Sequence, residues 1–250
     1  MTVLEAILVV IAGVWAGTIN TVVGSGTLVT FPVLLAIGYS PVVANVSNTI
    51  GLVPGSVSGA IGYRRELRGQ RDRLLRFGAM TFLGAITGAV LLLVLPASAF
   101  KGIVPFFIVI ALVLIVLQPR LGGWIAQRRP HGAEHHVGLL LGIYATGVYG
   151  GYFGAAQGII LIAMLGVAVN DDLQRLNGLK NVLAGLANLV AGVIFIFVAD
   201  VAWGPVVLIA CGSIVGGQLG ARYGRRLSPS ALRIVIVAVG VFAIVRLLAF

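Results

Sequence analysis

Two matched sets of polar residues interrupt an otherwise apolar chain: Asn45, Asn48, Thr49 and Ser56, and Asn177, Lys180, Asn181 and Asn188. Within each set the spacing i, i+3, i+4 and i+11 puts the side chains on one face of a helix. Polar groups in an apolar segment are costly against lipid, so they turn toward a partner helix or an aqueous cavity. Such a stripe can donate hydrogen bonds to an anion, or it can simply tie helices together. Lys180 is the most informative member. It lies two turns inside its segment, ~10 Å from the start, and the nearest acidic residues on that segment are Asp172 and Asp171. An ammonium turned inward without a carboxylate favours an anionic ligand, whereas a lysine snorkelling to the membrane edge on its long stem would be structural. Arg175, one turn in, reads as interfacial.

Two glycine-rich stretches add a second kind of donor. The first reads Asn20-Thr21-Val22-Val23-Gly24-Ser25-Gly26-Thr27, and the second Tyr149-Gly150-Gly151-Tyr152-Phe153-Gly154-Ala155-Ala156-Gln157-Gly158. A helix restarting after such a turn offers unpaired N–H groups and the positive end of its dipole, which together suit an anion. The simpler use of the glycines is tight packing. The candidate substrate-binding set is Asn20, Gly24, Ser25, Gly26, Thr27, Asn48, Gly154, Gln157, Asn177, Lys180 and Asn181. Backbone donors, Ser25 and Thr27 would hold an anion, Lys180, Asn48, Asn177 and Asn181 would neutralise and orient it, and Gly26 is expected to need a positive φ or a close ligand.

Other chemistries find little footing. His131, His135 and His136 lie with Glu134 in a polar stretch that reads as a solvated loop, and Cys211 is a lone cysteine in an apolar run, read as a small packing residue. Disulfide frameworks and cysteine metal sites are excluded. A Ser/His/Asp set, paired intramembrane carboxylates and a P-loop are all missing, so the expectation is neither an enzyme nor an ATP-driven pump, with no cofactor and no metal. The net charge of +10 comes from arginines grouped between apolar runs, a pattern of membrane loops rather than of nucleic-acid binding.

The elements that must position these residues follow from composition. Hydrophobic residues make up 59% of the 250, charged residues 10%, and the mean hydropathy is +1.09. That leaves too little polar surface to coat a soluble globule. Charges are absent between Glu5 and Arg64, Arg76 and Lys101, Glu134 and Asp171, Lys180 and Asp200, and Asp200 and Arg222. Apolar segments are predicted at 4–22, 27–38, 42–62, 77–95, 102–118, 137–153, 158–169, 173–198, 205–221 and 231–249. Met1 to Glu5 carry no basic residue, so the first segment is expected to stay in the mature protein. Pro54 and Pro105 fall inside segments and are expected to kink them.

Arginine-rich connections at 63–76, 118–136 and 222–230 are assigned to the cytoplasm. Residues 4–38 and 137–169 must then each begin and end on one side. Each contains one segment of ordinary length and one too short to span, so each is predicted to be a re-entrant hairpin; irregular backbone at that depth must be buried in protein or line a cavity. Both termini are then periplasmic.

Shifting the chain by 132 residues aligns Ser40 with Asp172, Asn45 with Asn177, Gly84 with Gly216, Gly88 with Gly220, Leu95 with Leu227, Ser98 with Ser230, Ala99 with Ala231 and Lys101 with Arg233. Ser40 and Asp172 are candidate N-caps, and Asp171 with Gln174 resembles a capping box. The hairpins align at slightly smaller shifts, Gly13 with Gly142 and Gly24 with Gly154. The fold expected is an all-α membrane protein of two inverted-topology repeats, each a re-entrant hairpin plus three transmembrane helices: residues 1–117, a cytoplasmic linker at 118–136, and residues 137–250. In transporters of that kind the substrate sits near the midplane between the repeats.

At these residues the sequence resembles the TauE/SafE family of sulfite and organosulfonate exporters. The matching features are Ala16-Gly17-Thr18-Ile19-Asn20 with Gly24-Ser25-Gly26, Pro32-x-Leu34, Ala44-Asn45-x-x-Asn48-Thr49, Gly62-Tyr63-Arg64, Gly150-Gly151-x-x-Gly154 and Asn177-Gly178-Leu179-Lys180-Asn181. Many family members carry a richer glycine run where this chain has Gly154-Ala155-Ala156. The resemblance implies secondary export of a small sulfur oxyanion such as sulfite or sulfoacetate across a bacterial inner membrane by alternating access. A membrane potential negative inside would favour anion efflux by ~2.3 kcal/mol per charge per 100 mV, with coupling to protons or sodium left open. Partners are the anion and the lipid bilayer, with no nucleic acid and with a homodimer left open. The alternatives are an anion channel of the same architecture and a membrane assembly protein that transports nothing.

Overall fold

The computed structural model describes residues 1–127 and 137–224, with isolated positions between 234 and 245. The three histidines, Glu134 and most of the last apolar run lie outside the described residues. Nine helices are described: α1 (Val3–Val22), α2 (Thr27–Ala36), α3 (Pro41–Gly62), α4 (Arg71–Val94), α5 (Ala97–Gln127), α6 (Val137–Tyr152), α7 (Gln157–Ala168), α8 (Leu173–Val198) and α9 (Trp203–Tyr223). Regular structure among the described residues is entirely helical.

Five helices, α1, α4, α5, α8 and α9, are long and apolar enough to cross a membrane. The 22 residues of α3 match them in length, but Asn45, Ser47, Asn48, Thr49, Ser56 and Ser58 lower its hydropathy, and all six are buried. The large apolar side chains show the reverse. Phe197 is 82% exposed and Phe106 71%, while Asn45, Asn48 and Ser213 are 0% exposed. Polar groups inside and bare hydrocarbon outside invert the pattern of a water-soluble domain, as expected where the surrounding solvent is lipid.

The helix starts have local causes. Pro41 occupies the first position of α3, where its missing N–H costs nothing. Asp172 caps α8 by accepting from the Gln174 N–H at 2.8 Å. The capping box expected of Asp171 and Gln174 does not form, because Asp171 is taken by two arginines, and Ser40 caps α3 without a side-chain hydrogen bond. A capping box does form at α1, between Thr2 and Glu5. Two helices outrun their apolar runs: α4 begins at Arg71 inside the first arginine stretch, and α5 continues into the expected linker as far as Gln127. Arginine, leucine and glutamine are good helix formers, so the helix persists after the apolar periodicity stops. Cys211 is exposed on α9 rather than packed.

Helix α1 packs along α9, α6 along α4, and α3 along both α8 and α9. The α4–α6 and α1–α9 contacts match residue for residue. A Cβ at Gly84 would strike the Tyr144 carbonyl and Val148 nitrogen, and one at Gly216 would strike the Val14 carbonyl and Thr18 nitrogen. Close approach of the backbones is what the small-residue pairs Gly84/Gly88 and Gly216/Gly220 permit.

Candidate functional site

Helix α1 stops at Val22 and α2 starts at Thr27; helix α6 stops at Tyr152 and α7 starts at Gln157. At the first break Val23 and Gly24 both donate to the Ile19 carbonyl, with Gly24 at φ 88°. At the second Phe153 and Gly154 both donate to the Tyr149 carbonyl, with Gly154 at φ 75°. A positive φ costs glycine nothing, and ending a helix this way leaves the last-turn carbonyls without helical partners. The two turns touch: the Gly158 N–H donates to the Gly24 carbonyl at 3.0 Å, and a Cβ on either glycine would collide with the other's Cα.

Side chains from α8 satisfy the carbonyls orphaned at the end of α1. Lys180 Nζ donates to the Thr21 carbonyl at 3.1 Å and to the Asn20 carbonyl at 3.3 Å. Asn181 Nδ2 reaches the same Thr21 oxygen at 3.2 Å and Asn177 Nδ2 reaches it at 3.5 Å. The lysine is 1% exposed, its stem lies beside Gly158, and no carboxylate pairs with it among the described residues. Snorkelling is therefore excluded: Lys180 sits where the two turns meet, held by neutral oxygens at the negative end of a helix dipole. Asn20 turns its amide to Ser56 Oγ at 3.3 Å.

On the other side of the first turn, Asn48 joins α3 to α2 by donating to Thr27 Oγ at 3.3 Å and accepting from the Thr30 hydroxyl. Ser25 Oγ is buried and unpartnered, and the N–H groups of Ser25, Gly26 and Thr27 donate to no acceptor among the described residues. Gly26 departs from expectation. It adopts φ −57°, and its bare Cα faces the Ala16 carbonyl and the Asn20 side chain, so packing within the hairpin, not a positive φ, requires glycine there.

The second turn is built differently. Asn45 Nδ2 caps the orphaned Tyr152 carbonyl at 2.9 Å, but its Oδ1 and the Tyr152 hydroxyl are buried without partners among the described residues. Around them Phe31, Phe100, Phe107, Tyr149, Tyr152 and Phe153 pack with ring centroids 5.1–6.3 Å apart. Gln157 folds back to the Thr146 carbonyl at 3.2 Å and fills the space beside Gly150, apart from Lys180's partners. Gly154 serves the turn, and Ala156 adopts the left-handed φ of 59°.

Sequence reasoning therefore located Asn20, Ser25, Thr27, Asn48, Asn177, Lys180 and Asn181 around the first turn and its contact with the second, but missed several neighbours. Tyr63 receives the other bond from Asn177 at 2.8 Å. Arg73 and Arg175 both bind Asp171, fastening the start of α4 to the start of α8, while Gln70 donates to the Arg175 carbonyl at 3.1 Å. Burial works against the Asp171 charge, yet the bonds from Arg73 and Arg175 prevail and hold its carboxyl below the ordinary aspartate range. The aromatic cluster had a faint signal in Tyr149, Tyr152 and Phe153 lying within one glycine-rich stretch.

Residues 9–247 match the family described as sulfite exporter TauE/SafE. The chain is similar to the probable membrane transporter protein YfcA of Escherichia coli K12, 29% identical over 93% of this chain and 86% of that one. It is also similar to the probable membrane transporter protein ORF9 of a Sinorhizobium species, 26% identical over 96% and 90%, and to a probable membrane transporter protein of Haemophilus influenzae, 25% identical over 90% and 87%. No solved structure gives a significant match. With the family spanning nearly the whole sequence and five helices fit to cross a bilayer, the chain is a multi-pass membrane transporter of the TauE/SafE family.

Proposed function

We propose that the protein is a secondary transporter for a small sulfur oxyanion, sulfite or an organosulfonate, bound beside the first hairpin turn and released by alternating access. The observation that carries this reading is Lys180: a basic side chain buried where two helix breaks meet, with neutral oxygens as its only partners among the described residues. Adjacent to the same turn are a buried hydroxyl and three N–H groups at the start of α2 that have no partner among the described residues. Together they offer charge and donors and no competing carboxylate, which suits an oxyanion. The sulfur chemistry rests on the family description.

The architecture in this reading is two inverted repeats, each a re-entrant hairpin plus three crossings, in an inner membrane with both termini periplasmic. Its support is the matched packing of α1 on α9 and α6 on α4, the positive-φ glycine at each break, and the arginine-rich connections. Reconstituted protein should carry labelled sulfite or ethanesulfonate into liposomes with saturable kinetics. Flux that rises linearly with concentration would make the protein a channel, and absence of flux across a sulfite and sulfonate panel would remove the transport reading.

A further inference from the structure

We infer that Lys180 carries a proton together with the anion, so that a monovalent sulfonate and one proton move in the same direction as an electroneutral pair. The inference rests on the transport reading above and adds the coupling ion.

The argument is a count of donors. A neutral lysine amine has two N–H bonds and one lone pair; an ammonium has three N–H bonds and no lone pair. Lys180 Nζ has two acceptors, the carbonyls of Asn20 and Thr21, at 3.3 and 3.1 Å. Both hydrogens of the neutral amine are thereby satisfied. Protonation adds a third N–H with no acceptor among the described residues and a charge with no counter-charge, and a buried, unpaired ammonium is costly. A sulfonate oxygen provides the acceptor and the counter-charge together. Binding therefore joins three species, amine, proton and anion, into one neutral ammonium–sulfonate pair; the proton comes from water on the loading side and leaves with the anion on the other. The empty site returns as the uncharged amine.

Among the described residues no other titratable side chain bonds Lys180 Nζ. Helices α2 and α7 contain no titratable side chain, and α1 has only Glu5 at its far end. Helix α3 contributes only Tyr63 at its C-cap, bonded to Asn177. From α6 come Tyr144, beside Thr87, Tyr149, bonded to the Ala155 carbonyl, and Tyr152. The charges of α4, Arg71, Asp72, Arg73 and Arg76, lie in its first turns, where Asp72 pairs with Arg76 and Arg73 with Asp171. On α8 itself Arg175 is held by Asp171, which precedes the helix that Asp172 caps, and in the connection between α3 and α4 Glu66 packs beside Gly178. Electroneutral coupling has a consequence for direction: the membrane potential no longer drives the anion, and an acid-outside pH gradient draws it inward.

The test uses purified protein in liposomes containing a pH-sensitive dye, with methanesulfonate, ethanesulfonate and bisulfite as probes and valinomycin with potassium to set the potential. A sulfonate stays ionised at working pH, so any proton that travels with it is carried by the protein. The expected result is one proton per sulfonate, uptake accelerated about tenfold by one pH unit of outside acidity at limiting proton concentration, and no response to a ~100 mV potential. Lys180→Arg, which keeps the charge permanently, should abolish proton movement and make any residual flux respond to the potential. For bisulfite the same comparison of wild type with Lys180→Arg separates protein-borne from substrate-borne protons. Wild-type flux that follows the potential without proton movement overturns the inference and leaves the transporter intact, a result that needs no variant to fold. Proton movement that survives in a folded Lys180→Arg protein also overturns it. No flux of any probe overturns the transport reading and this inference with it.

Discussion

At the turn after α1, two successive N–H groups converge on the Ile19 carbonyl; at the turn after α6, two converge on the Tyr149 carbonyl, and a positive-φ glycine completes each. The backbone solutions match, while the side chains around them do not. At the first turn the orphaned Thr21 carbonyl takes three side-chain donors, one of them Lys180, whereas the orphaned Tyr152 carbonyl takes one carboxamide inside a cluster of six aromatic rings. Breaking a helix creates the same deficit in both places, unpaired carbonyls in a low-dielectric interior. How the deficit is met is free to differ. One turn meets it with charge and donors that a ligand can share, the other with neutral packing, so the handling of charge is concentrated at one end of a geometrically balanced arrangement.

The point where the two turns meet should be the most sensitive to substitution. Gly24→Ala places a side chain at φ 88° and a Cβ against Gly158. Left-handed strain of ~1–2 kcal/mol and overpacking of ~1–3 kcal/mol should add to roughly 3 kcal/mol, read as a large fall in thermal unfolding temperature and in folded yield. A variant that unfolds within a degree of wild type would show that the turns are free to part. Gly38→Ala, also at positive φ but with open space for a Cβ, isolates the strain alone.

Lys180→Met separates ligand from fold at the charged turn. Loss of a desolvated charge-assisted contact should weaken sulfonate binding by about 1.5–3 kcal/mol, roughly 10- to 150-fold. Stability without ligand should change little: the buried amine gives up its hydrogen bonds to two carbonyls, and an apolar side chain of similar length fills its space without a polar group to desolvate. Unchanged affinity in a folded protein, measured by calorimetry, would make the lysine a helix cap and nothing more.

The Asp171 pairs tie the start of α4 to the start of α8, two turns from Lys180. Asp171→Asn should cost about 1–3 kcal/mol of stability near neutral pH by leaving partly buried guanidinium donors short of a charged acceptor. Because the folded carboxyl titrates below its unfolded value of ~3.9, the stability it contributes is complete above that value and is lost as pH falls through the lower folded one. Wild type should therefore lose stability below about pH 4 more steeply than Asp171→Asn. Parallel pH profiles of unfolding temperature would dismiss the clamp.

The sequence displayed this asymmetry only in part. Helix α8 begins and ends where its apolar run does, and the Asn177, Lys180, Asn181 stripe has the helical spacing that gathers those side chains at Thr21. Periodicity reports which face is buried, so it could place Lys180 on an inner face. It could not say that the acceptors would be main-chain carbonyls 159 and 160 residues away, because every residue has a carbonyl and only tertiary structure orphans one. The same gap explains Gly26, whose glycine answers to the Ala16 carbonyl across the hairpin rather than to its own φ. It also explains the six rings at the second turn, drawn from α2, α5, α6 and the residue after it.

The smallest predicted effect concerns the backbone of the aromatic turn. Ala156 has φ 59° where Gly26, at the matching place in the first turn, has −57°, so the second turn carries a left-handed alanine that the first avoids. Ala156→Gly relieves about 1 kcal/mol of that strain but removes one buried methyl, worth about 0.8 kcal/mol, and should leave stability nearly unchanged. Ala155→Gly next door removes an equally buried methyl without a positive φ to relieve. The backbone entropy that glycine adds to the unfolded chain falls on both variants, so Ala155→Gly should cost about 1–2 kcal/mol and Ala156→Gly about 1 kcal/mol less. The measurement is the difference between the two variants in thermal or denaturant unfolding without ligand, with Ala156→Gly the more stable by about 1 kcal/mol. Equal destabilisation would mean that the Ala156 methyl contributes packing beyond its own area and that the aromatic turn, like the charged one, depends on side-chain fit as well as backbone.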